Sequence, residues 1–183
     1  MRASDDYRSE DGQPPRVIEQ RGLFYEEMEL GVVYAHRPGR TLTEADNVLF
    51  TTLTMNTQAL HLDAAWSASQ PFGQRLVNSM LTLSTMVGQS VSQLTQGTLV
   101  AQLGLDRVSF PHPMFLGDTL YTETVVSGKR LSGSRPGQGV VAMTLTGRNQ
   151  QRTVVAQASR TVLVWLQSAQ HPADPHDAVR KDT

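Results

Sequence analysis

The chain has 183 residues, 39% apolar and 18% charged, which suits one globular domain with a sizeable core and excludes a wholly disordered chain. Its formal net charge is −1 and its basic residues form no cluster, so no nucleic-acid surface is expected. Cysteine is absent, which excludes a disulfide frame, a thiolate metal site and a cysteine nucleophile, and agrees with a cytoplasmic setting.

The first residues, MRASDDYRSEDGQPPR, are charged and have no apolar centre, so they do not read as a secretory signal. No apolar run approaches the roughly 20 residues that a membrane helix needs. Residues 1–20 and 168–183 mix charges with prolines and show no burial pattern. Both are expected to be disordered tails around one domain spanning 21–167.

Within that domain, a strand is expected near Val32–His36. Thr43, followed by Glu44 and Asp46, reads as a hydroxyl cap and first-turn acids opening a helix. That helix is expected to turn Ala45, Val48, Leu49 and Leu53 toward the core. A polar loop runs from Asn56 to Asp63, and Asp63 caps a short helix, Ala64–Ser69. Met80, Leu83, Val87, Val91 and Leu94 then fall on one face at helical spacing. Leu76, Leu81 and Met86 widen that face, so this helix is expected to be mostly enclosed. The small Ser79, Ser84 and Gly88 would admit close backbone approach.

After Gly97 the texture changes. Leu99–Phe110, Thr119–Leu131, Val140–Arg148 and Arg152–Leu166 are rich in Val, Thr and Leu, and Val141, Met143 and Leu145 alternate with small or polar residues. Breaks fall at Pro111–Gly117, Ser132–Gly139 and Asn149–Gln151, the last a tight hairpin. The fold class is therefore α+β, with an antiparallel sheet wrapped around one long helix. Such a sheet has edges to cover, and edge-to-edge dimerisation is one solution.

Four segments carry a family resemblance. Asn56-Thr57-Gln58-Ala59-Leu60-His61-Leu62-Asp63 is similar to a hydratase motif of the form Asp-x-Asn-Pro-(Ile/Leu)-His-x-Asp. Pro38 to Asp46 resembles the entry to the family's first helix. Phe72 to Leu81 resembles Phe-Gly-x-x-(Ile/Val)-(Val/Ala)-His-Gly-Met-Leu, and Phe110 to Thr119 resembles its strand-turn-strand element. The resemblance covers roughly residues 22–166. They resemble the MaoC-like dehydratases, the family of R-specific enoyl-CoA hydratases. The resemblance implies a single hot-dog domain that hydrates or dehydrates a short acyl-CoA. It also implies a homodimer, with CoA entering as part of the substrate and no separate cofactor. Within the family, the sequence looks more like the branch acting on branched or dicarboxylic substrates such as mesaconyl-CoA or itaconyl-CoA. Two positions depart from the pattern: Asn56 stands for the catalytic Asp, and Asn78-Ser79 for His-Gly.

Hydration of an enoyl thioester needs a base for water, an acid for the α carbon, and a donor for charge on the thioester oxygen. Imidazole exchanges protons near neutral pH, so His61 is the acid/base candidate, expected to take and return the proton. An amide is not a base but can orient water, which is the role expected of Asn56. By family correspondence the backbone N–H of Ser79 opens the long helix, where free N–H groups and the helix dipole suit a developing oxyanion. Asn78 beside it is a candidate lining residue or a helix cap. Gly104 aligns with a glycine beside the acyl chain; it either admits the ligand or marks a bulge. Arg75 or Arg107 suits a substrate carboxylate or CoA phosphate, or else a surface pairing.

Asp63 reads as a helix cap rather than a second base, Asp46 as a first-turn acid, and Gly117-Asp118 as a turn. His36 and His112 are expected at the surface or at strand ends, and Trp66 and Trp165 as packing groups. His171, Asp174 and His176 are a weak constellation, and no metal site is expected. A hot-dog thioesterase is the competing enzyme, yet Asn78–Leu94 holds no Asp or Glu to serve it. A non-catalytic acyl-CoA binder is the third reading, kept open by Asn56.

Overall fold

A computed structural model describes residues 18–169. Residues 1–17 and 170–183, with most of both expected tails and with His171, Asp174 and His176, lie outside the described residues. The elements in chain order are β1 (Val33–Ala35), β2 (Arg40–Thr41), α1 (Glu44–Leu53), α2 (Ala59–Leu62) and α3 (Ala64–Ala68). Then come α4 (Ser79–Ser90), a π-helical turn (Val91–Thr95), β3 (Leu99–Ser109), β4 (Thr119–Leu131), β5 (Gln138–Arg148) and β6 (Val154–Trp165).

The strands form one antiparallel sheet in the order β1-β4-β5-β6-β3, with β2 also paired to β4. The β4–β5 and β5–β6 pairs are long, and β4 bulges between Val126 and Gly128. One face of this sheet alternates inward: Leu120 and Val126 from β4, Val141, Met143 and Leu145 from β5, and Ala156, Val162 and Val164 from β6. It closes on α4 through Met86, and on Leu94 in the turn beyond. Contact there is tight, since a Cβ at Gly147 would stand 2.7 Å from Met86 Sδ. Burial of large aliphatic side chains, at about 1.5–3 kcal/mol each, holds helix and sheet together.

Local sequence explains the helix ends. Thr43 and Asp46 form a reciprocal capping box at α1, with Asp46 N–H donating to Thr43 Oγ1 at 3.2 Å and Thr43 N–H donating to Asp46 Oδ2 at 2.9 Å. The Thr43 hydroxyl first, then its N–H, and Arg40 more weakly, hold the Asp46 carboxyl below its ordinary range. Asp63 caps α3 by accepting from Trp66 N–H at 2.9 Å.

Several expectations are corrected. The face of α1 turned inward is Asn47 and Thr51, whereas Leu49 and Leu53 are 67% and 78% exposed. On α4 the buried positions are Thr82, Leu83, Met86 and Ser90, while Met80 is exposed and Leu81 and Val87 are half-buried. The helix is therefore enclosed on one side only. Its polar inner positions have partners: buried Arg160 on β6 donates to Ser90 Oγ at 3.0 Å and to Gln102 Oε1 at 3.2 Å. His36 stands at the end of β1, one of the two places expected, but is buried, donating from Nδ1 to Gln93 Oε1 and accepting at Nε2 from the Thr124 hydroxyl, both at 2.8 Å. Trp66 is 41% exposed and so is not a core residue. The loop expected from Asn56 to Asp63 holds the short helix α2.

Candidate active site

Four consecutive residues before and into α4 organise the site. Leu76 N–H donates to Leu60 O at 3.1 Å, tying this strap to α2. Leu76 O accepts from His61 Nδ1 at 3.0 Å. Val77 N–H donates to Met114 O at 2.9 Å, holding the loop that follows β3. Asn78 N–H donates to Asn47 Oδ1 at 2.8 Å, anchoring the strap to α1. Ser79, next in line, is the first residue of α4, and no acceptor for its N–H is found among the described residues. The following N–H, of Met80, is capped by Asn78 Oδ1 at 3.0 Å. The N-terminal end of α4 thus keeps the Ser79 backbone donor uncommitted, where the helix dipole favours negative charge.

His61, Asn56 and Ser79 line one cavity of about 610 Å³, together with Phe72, Thr82, Phe110 and His112. His61 is almost wholly buried. A carbonyl oxygen only accepts, so the bond to Leu76 O places a proton on Nδ1 and leaves Nε2 of the neutral ring as an acceptor. Nε2 has no protein partner among the described residues. Asn56 Oδ1 accepts from Gln58 N–H at 3.0 Å, an Asx turn that fixes which way the amide faces. Its Nδ2 hydrogens remain as donors. The cavity therefore offers a base nitrogen, an amide donor and a helix-terminal N–H.

Asn47 is the residue that sequence reasoning missed. Fully buried, it donates from Nδ2 to His61 O at 3.1 Å while accepting from Asn78 N–H, so one amide joins the His61 segment to the start of α4. Thr51, one turn on, accepts from Asn78 Nδ2 at 3.2 Å, and its carbonyl accepts from Asn56 N–H at 3.0 Å. The signal was present: Asn47 and Thr51 stand four apart, on one face of a helix whose other residues are largely apolar.

A family model described as a MaoC-like domain matches residues 27–149. The chain belongs to the MaoC-like dehydratase family. It is 32% identical over 159 residues to the β-methylmalyl-CoA dehydratase of Chloroflexus aurantiacus, a match covering 83% of this chain and 43% of that protein. The chain thus spans less than half of that relative's length. Among solved structures, an R-hydratase of Pseudomonas aeruginosa superposes with a TM-score of 0.66 at 25% identity, covering 84% of this chain and 96% of that one. A conserved Mycobacterium tuberculosis protein with a double hot-dog fold gives a TM-score of 0.73 at 25% identity, with 85% of this chain matched to 48% of that one. The single sheet around one helix is therefore the hot-dog fold.

The other candidate residues of this MaoC-like domain fall elsewhere. Asn78 is buried behind the helix start, with its N–H and both amide atoms engaged by Asn47, Thr51 and Met80. Arg75 pairs with Glu44 Oε1 at 2.5 Å and joins the strap to the start of α1. Gly104 lies on β3 at a register shift from Gln102, and a Cβ there would meet only Asp106 Oδ2, at 3.8 Å. Arg107 takes a positive φ of 49° in the same irregular strand. None of these four lines the cavity. His112, exposed as the sequence suggested, does line it, although sequence reasoning assigned it no part in the site. Among the described residues no three His, Cys, Asp or Glu side chains group as metal ligands, and no helix is long and apolar enough to cross a membrane.

Proposed function

We propose that this chain is an enoyl-CoA hydratase or dehydratase acting on a short, branched or dicarboxylic acyl-CoA, with CoA carried in as part of the substrate and no further cofactor. The observation that carries the reading is the His61 ring, held by Leu76 O with Nε2 unclaimed, in the cavity lined by the first residue of α4. A water held by Asn56 Nδ2 loses a proton to His61 Nε2 as its oxygen bonds to the β carbon. The π pair shifts toward the α carbon and the thioester oxygen, and the Ser79 N–H meets the charge there. A fixed donor of this kind is worth on the order of 3 kcal/mol. A proton then adds at the α carbon, completing the addition of water. The names of the relatives favour this chemistry, and the dehydratase of Chloroflexus aurantiacus favours the branched substrates.

We also propose a cytoplasmic homodimer. Among the described residues strand β3 pairs on one side only, with β6, and exposes Leu103 and Val108. A second copy laid along it would make the paired arrangement that a double hot-dog protein holds in one chain.

The test is purified protein with crotonyl-CoA, mesaconyl-CoA and itaconyl-CoA. Loss of enoyl absorbance in at least one supports hydration. Release of free thiol would mean a thioesterase, and binding without turnover a carrier. In an active protein, His61→Ala is expected to slow hydration about 10²–10⁴-fold. Hydration untouched by that change would refute the mechanism.

A further inference from the structure

His112 shares the cavity with His61 and has no role in the scheme above. Its Nδ1 stands 2.9 Å from Val154 O, and because a carbonyl only accepts, that nitrogen carries a proton. The residue is exposed, and Nε2 has no protein partner among the described residues. Position is controlled from both sides. Pro111 and Pro113 restrict the backbone around it, and a residue before proline is biased to extended geometry. Two residues on, Met114 O accepts the N–H of Val77, the neighbour of Leu76, which holds His61. Both imidazoles are thus set in the same way: Nδ1 on a main-chain carbonyl, Nε2 left over, each within two residues of the strap that ends at Ser79.

The chemistry has an opening for a second such group. Hydration moves one proton off water and puts one on the α carbon. Asn56, where the family motif has Asp, can do neither. We infer that His112 is the second proton-transfer residue of this site, delivering the α-carbon proton while His61 takes one from water. This rests on the hydratase reading and completes it. In the step, a water O–H bond breaks to His61 Nε2 as the C–O bond forms. The π pair becomes the new C–H bond with the proton of His112 Nε2–H. His112 gives up its Nε2 proton and regains one from bulk water at its exposed ring, while His61 releases the proton it took to water in the shared cavity, so both are reset for the next turnover. Dehydration runs the same transfers backward.

The experiment compares His112→Asn and His112→Ala with the wild type on the enoyl-CoA that turns over fastest. Asparagine puts an N–H close to where Nδ1 stands, so it keeps the bond to Val154 O and removes only Nε2. The expected result is a fall in kcat of about 100-fold in both variants, with KM changed less than about threefold and Tm unchanged in His112→Asn. Added imidazole should restore His112→Ala at least about tenfold, because the position is open to solvent. Hydration by His112→Asn within about twofold of wild type overturns the assignment, and so does failure of imidazole to restore His112→Ala. A wild type that turns over no enoyl-CoA sinks the hydratase reading and this assignment together, whereas turnover surviving His112→Asn sinks the assignment alone.

Discussion

Asn47→Ala is the sharpest test of how the site is held. The change removes one amide and strands two buried main-chain groups, His61 O and Asn78 N–H. A buried polar group left without a partner costs about 1–3 kcal/mol, so the pair should cost about 2–6 kcal/mol. A domain of this size loses roughly 2–4 °C of Tm per kcal/mol, which puts the expected fall near 10 °C. Urea unfolding should show a lower midpoint with an unchanged slope. Activity should fall as well, because the same amide fixes the spacing between His61 and the start of α4, and a displacement of about 1 Å can cost about 100-fold. Asn47→Asp keeps an acceptor for Asn78 N–H but buries a carboxylate and loses the donor to His61 O, so it should be no better tolerated. Unfolding of Asn47→Ala within about 0.5 kcal/mol of wild type, outside the range for two orphaned groups, would refute the bridging role.

The remaining predictions concern charge, edge and water. Burial, with Arg37 adding repulsion, holds the His36 imidazole below its ordinary 6.5, although Gln93 partly offsets this. The unfolded chain therefore binds that proton first. Stability is fully present above about pH 6.5 and is lost as pH falls toward the folded value. Denaturation between pH 7.5 and 5 should show a shallower decline in His36→Gln, and an identical slope would discount the group. Leu103→Glu places a charge on the free side of β3 and should convert a dimer to monomer in light scattering, while a dimer that persists would put the interface elsewhere. Asn56→Asp keeps the acceptor for Gln58 N–H and adds a base, so kcat should rise; a fall would mean that the Nδ2 donor is indispensable to water placement.

The sheet was legible almost residue by residue. Strand β4 occupies Thr119–Leu131 as the Val- and Thr-rich texture predicts, and β3, β5 and β6 differ from expectation by one to two residues at their ends. Alternation survives there because both faces of a long strand meet consistent surroundings. Short elements were not legible: β2 has two residues and α2 four, too few for any period to register. The burial of His36, at the end of β1, was missed for a different reason. Its burial depends on Gln93 in the π-helical turn and Thr124 on β4, partners 57 and 88 positions away that no local window contains.

The inverted reading of α1 shows where hydrophobic patterning stops being a guide. Apolar residues at Val48, Leu49 and Leu53 point to a core face, yet the chain turns the opposite face inward, because Asn47 and Thr51 have specific work against α4. Once those amide and hydroxyl bonds are made, the apolar residues are left outside, where Leu49, Leu53 and Met55 form an exposed group on α1 and the residues just beyond it. For the proposed catalytic residues the motif gave His61 and Ser79 by position, but only the folded strap shows what would let them work as a pair. Leu76 O sets the tautomer of one, and Asn78, pulled back by Asn47 and Thr51, caps Met80 and leaves the N–H of the other unclaimed. The proposed proton acceptor and the proposed oxyanion donor are thus positioned by a single stretch of backbone, so a change that shifts residues 76–79 should impair both together rather than either alone.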